Sequence, residues 1–232
     1  MKIHNSFFPV LGLLVLTTLF FEWNSVDLWL QDFFYQPKTG QWLINRDEPI
    51  MRFILYDGAK KALVILGLMA LAVFFLSFKF HGLLRFRRRA VLLSLSLIFV
   101  PAIIAGSKSQ TNTYCPWDLQ RYGSTKPYVK LFEPYPSEFI QDRPPKCFPA
   151  GHPTGGFALM VGFFLFSTPK GRKRGLWVGL AAGWVMGLYQ MLKGAHFFSH
   201  VVFSMLAAWL VILIVVAVVD RWIVEPEGGT MV

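Results

Sequence analysis

The sequence predicts an all-α integral membrane protein, a six-transmembrane-helix bundle. Three observations carry that prediction. The 232 residues are 54% apolar and 16% aromatic, only 16% are charged, and the mean hydropathy is +0.47; soluble domains are more polar, and disordered chains lack such apolar content. Six long stretches are nearly free of charge. The basic residues behind the net charge of +10 flank those stretches, so they do not form the continuous patch expected of a nucleic-acid binder.

A helix needs about 17–25 mostly apolar residues to cross the hydrocarbon. The stretches that meet or approach this are Asn5–Phe21, Ala62–Phe78, Ala90–Ser107, Pro153–Pro169, Gly175–Leu192 and Val201–Val219. The last extends back to Ala195 if its histidines face protein or a wet cavity. The first resembles a secretory signal, but Glu22-Trp23-Asn24 follows it where a small-x-small cleavage site would stand, so it is expected to be a retained helix. Glu22–Lys61 is too polar to span. Within it, Val26–Tyr35 sets Leu28, Trp29, Phe33 and Phe34 on one helical stripe, which reads either as an interfacial helix or as a loop helix packed on the bundle.

Basic residues in short loops resist translocation. Lys79, Arg85, Arg87, Arg88 and Arg89 fill one loop, and Lys170, Arg172, Lys173 and Arg174 another. Both loops are expected to be cytoplasmic, with both termini inside and residues 22–61, 108–152 and the Lys193–His200 turn outside. Nothing repeats at a fixed period, so a single membrane domain is expected over residues 1–232. Cys115 and Cys147 both fall in the outer segment, where an oxidising compartment permits a disulfide; two free thiols are the alternative.

Three polar clusters sit at the predicted outer boundaries. Lys108 to Pro116 follows the third span, Pro149-Ala150-Gly151-His152 precedes the fourth, and Gln190, Lys193, Gly194, His196, Ser199 and His200 bridge the fifth and sixth. Taken singly, a boundary lysine snorkels and a histidine beside a helix end commonly satisfies carbonyls. Their order is more informative.

In that order and spacing the chain resembles the type 2 phosphatidic acid phosphatase superfamily. The family pattern is Lys-x6-Arg-Pro, then Pro-Ser-Gly-His, then Ser-Arg-x5-His-x3-Asp. It falls here on Lys108-x6-Cys115-Pro116, on Pro149-Ala150-Gly151-His152, and on Tyr189-Gln190-x5-His196-x3-His200. The resemblance covers roughly Ala90 to Val219. It implies phosphoryl transfer through a phosphohistidine: His196 attacks phosphorus, and His152 protonates the leaving group and then helps activate water. The resemblance also implies an outward-facing active site at helix ends, with Lys108 and Gln190 at phosphate-binding positions and the backbone amides around Gly151 and Gly194 able to hold phosphate oxygens beside a helix N-terminus.

The departures matter as much. Cys115 and Gln190 stand where the family has arginines, and His200 stands where it has the aspartate that orients the nucleophile. Lys193, one helical turn after Gln190, is the expected substitute cation, with Arg121 and Arg143 of the outer loop as weaker ones. His196 and His200, four residues apart, share a helix face, so His200 is expected to fix the tautomer of His196. Two other readings remain: a zinc hydrolase built from His152, His196 and His200, and a non-catalytic relative that binds anionic lipid. The leading expectation is a metal- and cofactor-independent lipid phosphatase or phosphotransferase. It would sit in a bacterial inner membrane, act on a lipid phosphate or diphosphate at the periplasmic side, and have no nucleic-acid partner.

Overall fold

The computed structural model describes residues 4–141 and 143–222. The termini, whose predicted side of the membrane was cytoplasmic, lie outside the described residues. Among the described residues the regular structure is helical apart from one two-stranded hairpin. In order it forms α1 (His4–Trp23), α2 (Val26–Asp32), the hairpin β1 (Tyr35–Gln36) and β2 (Gln41–Trp42), α3 (Pro49–Leu76), α4 (Arg87–Ser107), α5 (Thr154–Leu165), α6 (Pro169–Leu192) and α7 (Phe198–Trp222). Among the described residues, five helices are long and apolar enough to cross a membrane: α1, α3, α4, α6 and α7.

Local chemistry sets the helix starts. Glu48 accepts hydrogen bonds from the Ile50 and Met51 amides, and Pro49 occupies the first helical position of α3. Thr168 and Pro169 start α6 in the same way, with the Thr168 hydroxyl accepting from the Gly171 amide. α3 therefore begins well before residue 62, where the hydropathy pattern alone would start it. Lys60 and Lys61 interrupt the apolar run but not the helix. Its first turns include a π-helical segment, Phe53–Gly58.

The predicted fourth span, 153–169, forms a shorter helix than its apolar run. It is a 12-residue unit made of α-helical Thr154–Ala158, a 3-10 turn at Leu159–Val161 and α-helical Gly162–Leu165. It stops because Phe166 is extended and because Thr168-Pro169 caps the next helix; a residue before proline is pushed out of the helical region. α5 packs closely on α6 through glycines spaced four apart. A Cβ on Gly175 would lie 2.4 Å from Gly162 backbone, one on Gly179 2.1 Å from the Met160 amide nitrogen, and one on Gly183 2.0 Å from the Phe157 ring. Small residues on such a stripe let backbones approach where larger ones could not.

The buried centre lies among α4, α5 and α7, with Leu92, Val100, Phe157, Val161, Ala208 and Ile212 fully enclosed. α1 and α3 lie on the outside of the bundle, showing apolar side chains such as Leu16, Phe20, Leu68 and Met69. At one end Arg88 pairs with Asp220 (2.7 Å) and donates to the Phe164 carbonyl (3.1 Å), tying α4, α5 and α7 together. Lys108 lies past the other end of the 21-residue α4, roughly 30 Å away at about 1.5 Å per residue. The polar clusters therefore gather at the end opposite the two basic loops.

The α2 stripe splits. Trp29 and Phe33 are exposed and meet edge to face at 5.0 Å, whereas Leu28 and Phe34 pack against buried clusters; Asp27 and Gln31, outside the stripe, are buried against α7 and the end of α6.

Candidate active site

Backbone contacts stitch the three clusters together. The Trp117 amide donates to the Gly194 carbonyl (2.9 Å), joining the first to the third. The Ala150 amide donates to the His200 carbonyl (3.3 Å), and the Ser204 hydroxyl donates to the Ala150 carbonyl (2.8 Å), joining the second to the third. Lys108 lies over Gly151, so that a Cβ there would meet the lysine Cε at 3.2 Å. Cys115 and Cys147 are disulfide-bonded with Cα atoms 5.2 Å apart. The bond holds the start of the outer segment against the strand of chain that presents His152.

These contacts enclose a polar cavity of about 390 Å³. Lys108, His152, Gln190, Lys193 and His196 all line it, so five of the candidate residues converge. Gly151 faces the neighbouring groove, and His200 lies behind His196, fully buried. Gln190 is buried with its Nε2 unpartnered, and a buried donor without an acceptor is costly.

His196 and His200 meet through their Nδ1 atoms at 3.4 Å. Only one of the two can carry the shared proton, and if His196 donates it, the Nε2 of His196 keeps a free lone pair. Burial pushes the His196 imidazole well below its ordinary range, and the nearby His200, Lys108, His152 and Lys193 push it the same way. His196 is therefore neutral at pH 7. The His152 Nε2 is 2.9 Å from the Leu55 carbonyl. A carbonyl only accepts, so Nε2 bears the hydrogen and Nδ1 is the free nitrogen of the neutral ring. Leu55 belongs to the π-helical segment, and Tyr56 stacks on the His152 ring at 4.1 Å. Burial also lowers the His152 pKa, aided by Lys193 and Lys60.

Lys193 sits 4.4 Å from the Tyr189 ring centroid and 5.0 Å from that of Tyr56. Its ammonium is brought down to about 8 by burial and then by Arg46 and Arg52. Gly194 follows in the left-handed region (φ +74°), with the Trp42 ring so near that a Cβ would lie 2.3 Å from it. Asp27 of α2 accepts from the Ser199 amide (2.8 Å) and hydroxyl and so caps the start of α7 beside the histidine pair. Burial raises its pKa to about 6 despite those hydrogen bonds.

Two expectations are corrected. Arg121 pairs with Asp32 at 2.6 Å and Arg143 is exposed, and neither lines the cavity. The arginines that do line it are Arg46 and Arg52, from a segment that carries no family motif. Only their sign and their outer location were readable in sequence. The three-histidine zinc set is also not assembled. Among the described residues, the ligand-type atoms that cluster within 4.8 Å of one another are those of Cys147, His196 and His200, and the Cys147 sulfur is already bonded to Cys115.

Together these features define an all-helical protein with membrane-length apolar helices and a cationic, histidine-bearing cavity at their ends. Over residues 89–223, from the start of α4 to the end of α7, the chain matches the PAP2 superfamily, and it belongs to that family. No curated protein and no solved structure matches it. Membership brings phosphatase-type chemistry on phosphate esters.

Proposed function

We propose that the chain is a membrane lipid phosphatase or phosphotransferase working through a phosphohistidine. The observation that carries this reading is the meeting of two unlike cavities. The polar cavity adjoins a groove of about 470 Å³, lined by apolar residues such as Leu63, Leu68, Leu71, Leu97 and Ile98, and Tyr56 and His152 line both. A phosphorylated headgroup suits the first and a hydrocarbon chain the second, with the scissile bond near His152. Water-soluble phosphate esters have no use for the groove.

In the first step the His196 Nε2 lone pair forms an N–P bond as the P–O bond to the lipid breaks, and the departing oxygen takes the Nδ1 proton of His152, which enters this step as the imidazolium that a bound phosphate anion favours. In the second, an acceptor gives its proton to His152 while its oxygen attacks phosphorus and the N–P bond breaks. Water as acceptor gives hydrolysis, and an alcohol or phosphate gives transfer. Lys108, Lys193 and the Gln190 amide offset the charge on the equatorial oxygens, the main demand of phosphoryl transfer. His200 holds the proton on the far side of the His196 ring and so keeps the attacking nitrogen unprotonated.

In this reading α5 is the sixth membrane element, too short to span alone but shielded from lipid by α4, α6 and α7, which tolerates its irregular backbone. The cavity faces the periplasm of a bacterial inner membrane, because the basic loops at the opposite end favour the cytoplasm. The test is a panel of lipid mono- and diphosphates and a water-soluble phosphate ester, offered to purified protein in detergent with and without chelator. Release or transfer of phosphate from the lipids, indifferent to chelation and blocked by vanadate, is expected. No turnover of any ester would overturn the reading, and turnover that a chelator removes and zinc restores would replace it with a metal-dependent one.

A further inference from the structure

We infer that Arg46 and Arg52, from the segment leading into α3, supply the phosphate-gripping guanidinium groups that the family's first and third motifs would have carried at Cys115 and Gln190. The inference rests on the phosphatase reading and names the residues that complete its anion site.

The segment is docked against the third motif. The Ile44 amide donates to the Leu192 carbonyl (3.2 Å) and the Leu43 amide to the Phe34 carbonyl (2.9 Å), while the Trp42 ring lies over Gly194. Only glycine leaves room for that ring, so the turn carrying Lys193 and His196 and the segment carrying Arg46 are fitted to each other. Arg46 then lies over the Trp117 indole, its guanidinium carbon 4.2 Å from the ring centroid. Trp117 is two residues after Cys115, so a guanidinium returns to the neighbourhood from which the first motif lost one. Stacking uses the flat face of the group and leaves its N–H edge free for phosphate oxygens.

Arg52 reaches the same cavity from the first turn of α3. Its ion pair with Asp57 is long, 3.5 Å, and both side chains are largely exposed, so little holds it away from an anion. Gln190 lines the same cavity at the third-motif arginine position, with a buried, unpartnered Nε2. The cavity lining thus has four cations, Arg46, Arg52, Lys108 and Lys193, against one carboxylate, Asp47. Solvated surface arginines would not be expected to converge with two lysines on one concavity unless an anion belongs there. Both arginines also depress the Lys193 ammonium, which places them within electrostatic reach of it.

The site is tested with Arg46→Gln, Arg52→Gln and the double variant in full-length protein. The readouts are kcat and KM on a lipid phosphate, and equilibrium binding of orthovanadate. Each single change is expected to lower kcat/KM by about tenfold or more, and the double variant by about 10²–10³, the range for removing charge stabilisation from a transition state. Vanadate affinity should fall in parallel. Arg46→Lys should recover only part, because a lysine cannot offer a planar fork. Adding Gln190→Arg to Arg52→Gln should restore part of the lost rate by returning a guanidinium to the family position. Arg143→Gln, exposed and outside the cavity, should stay within about twofold of the parent, as surface changes generally do. A double variant that keeps both kcat/KM and vanadate affinity within twofold overturns the inference and leaves the phosphatase reading standing. If the parent turns over no ester, the phosphatase reading fails, and vanadate binding still decides: unchanged binding in the double variant overturns the arginine site, and weakened binding supports it.

Discussion

His196 and His200 face each other nitrogen to nitrogen, Nδ1 to Nδ1 at 3.4 Å, both buried, with His196 just before α7 rather than on it and His200 in its first turn. In the proposed mechanism the pair gives the nucleophile an orienting partner without a carboxylate, so removing either ring has a defined consequence. His196→Ala should abolish turnover. His200→Ala should cost about 10²-fold in kcat, the scale of losing one acid–base partner, with KM little changed because His200 does not line the cavity. His200→Asp should retain activity. Steady-state kinetics on the three variants checks this, and an unaltered rate in His200→Ala would remove His200 from the mechanism.

The pH dependence of kcat/KM should be asymmetric. His196 is held well below 6.5, so it stays unprotonated and nucleophilic as the medium is acidified, and the acid limb should fall below pH 6.5. Lys193 titrates at about 8. It carries its charge below that value and loses it above, so phosphate binding should weaken as pH rises through 8. Lys193→Arg should move the alkaline limb upward, since a guanidinium does not deprotonate there. A limb that stays near 8 in that variant would assign it to another group.

The Cys115–Cys147 bond closes a loop across 32 positions, worth about 4 kcal/mol by chain entropy. Cys115→Ser with Cys147→Ser should lower thermal stability in detergent, and reductant should lower the parent toward the double variant while leaving the variant unchanged. Equal melting of all three would show that the loop is held without the bond.

Gly179→Ala should destabilise the bundle by about 1–3 kcal/mol, the usual cost of overpacking, because its Cβ would strike the Met160 backbone, which cannot rotate away. Gly12→Ala, with open space around its Cβ, is the matched control and should be neutral or slightly stabilising. Thermal denaturation of both in the same detergent compares them.

Gly67→Leu should separate headgroup chemistry from chain binding. Gly67 lines the apolar groove, and a Cβ there meets only ordinary contacts with Leu97, so the larger side chain fills the groove without breaking the fold. KM for a long-chain lipid phosphate should rise while turnover of a short-chain ester is retained. An equal effect on both substrates would show that the chain does not lie in the groove.

Much of this protein is legible in its sequence, because the properties concerned are sums over neighbouring residues. A window of apolar residues reports a buried or lipid-facing helix wherever the helix packs, so the long helices around residues 5–21, 90–107, 175–192 and 201–219 are found within a few positions. Spacing along the chain likewise picks out Lys108, His152 and His196, which line one cavity. Where a local signal misleads, local chemistry explains it. Glu48 and Pro49 start α3 inside a polar stretch, and Thr168-Pro169 ends the fourth apolar run early. The tertiary structure alone decides which distant groups meet. Arg46 joins the site through a segment whose amide at Ile44 bonds Leu192 and whose Trp42 covers Gly194, about 150 positions away in the chain. Arg121, as basic as Arg46 in sequence, is instead captured by Asp32. A charge on a loop carries no local mark of the cavity it will reach, because that is set by the packing of the elements on either side of it.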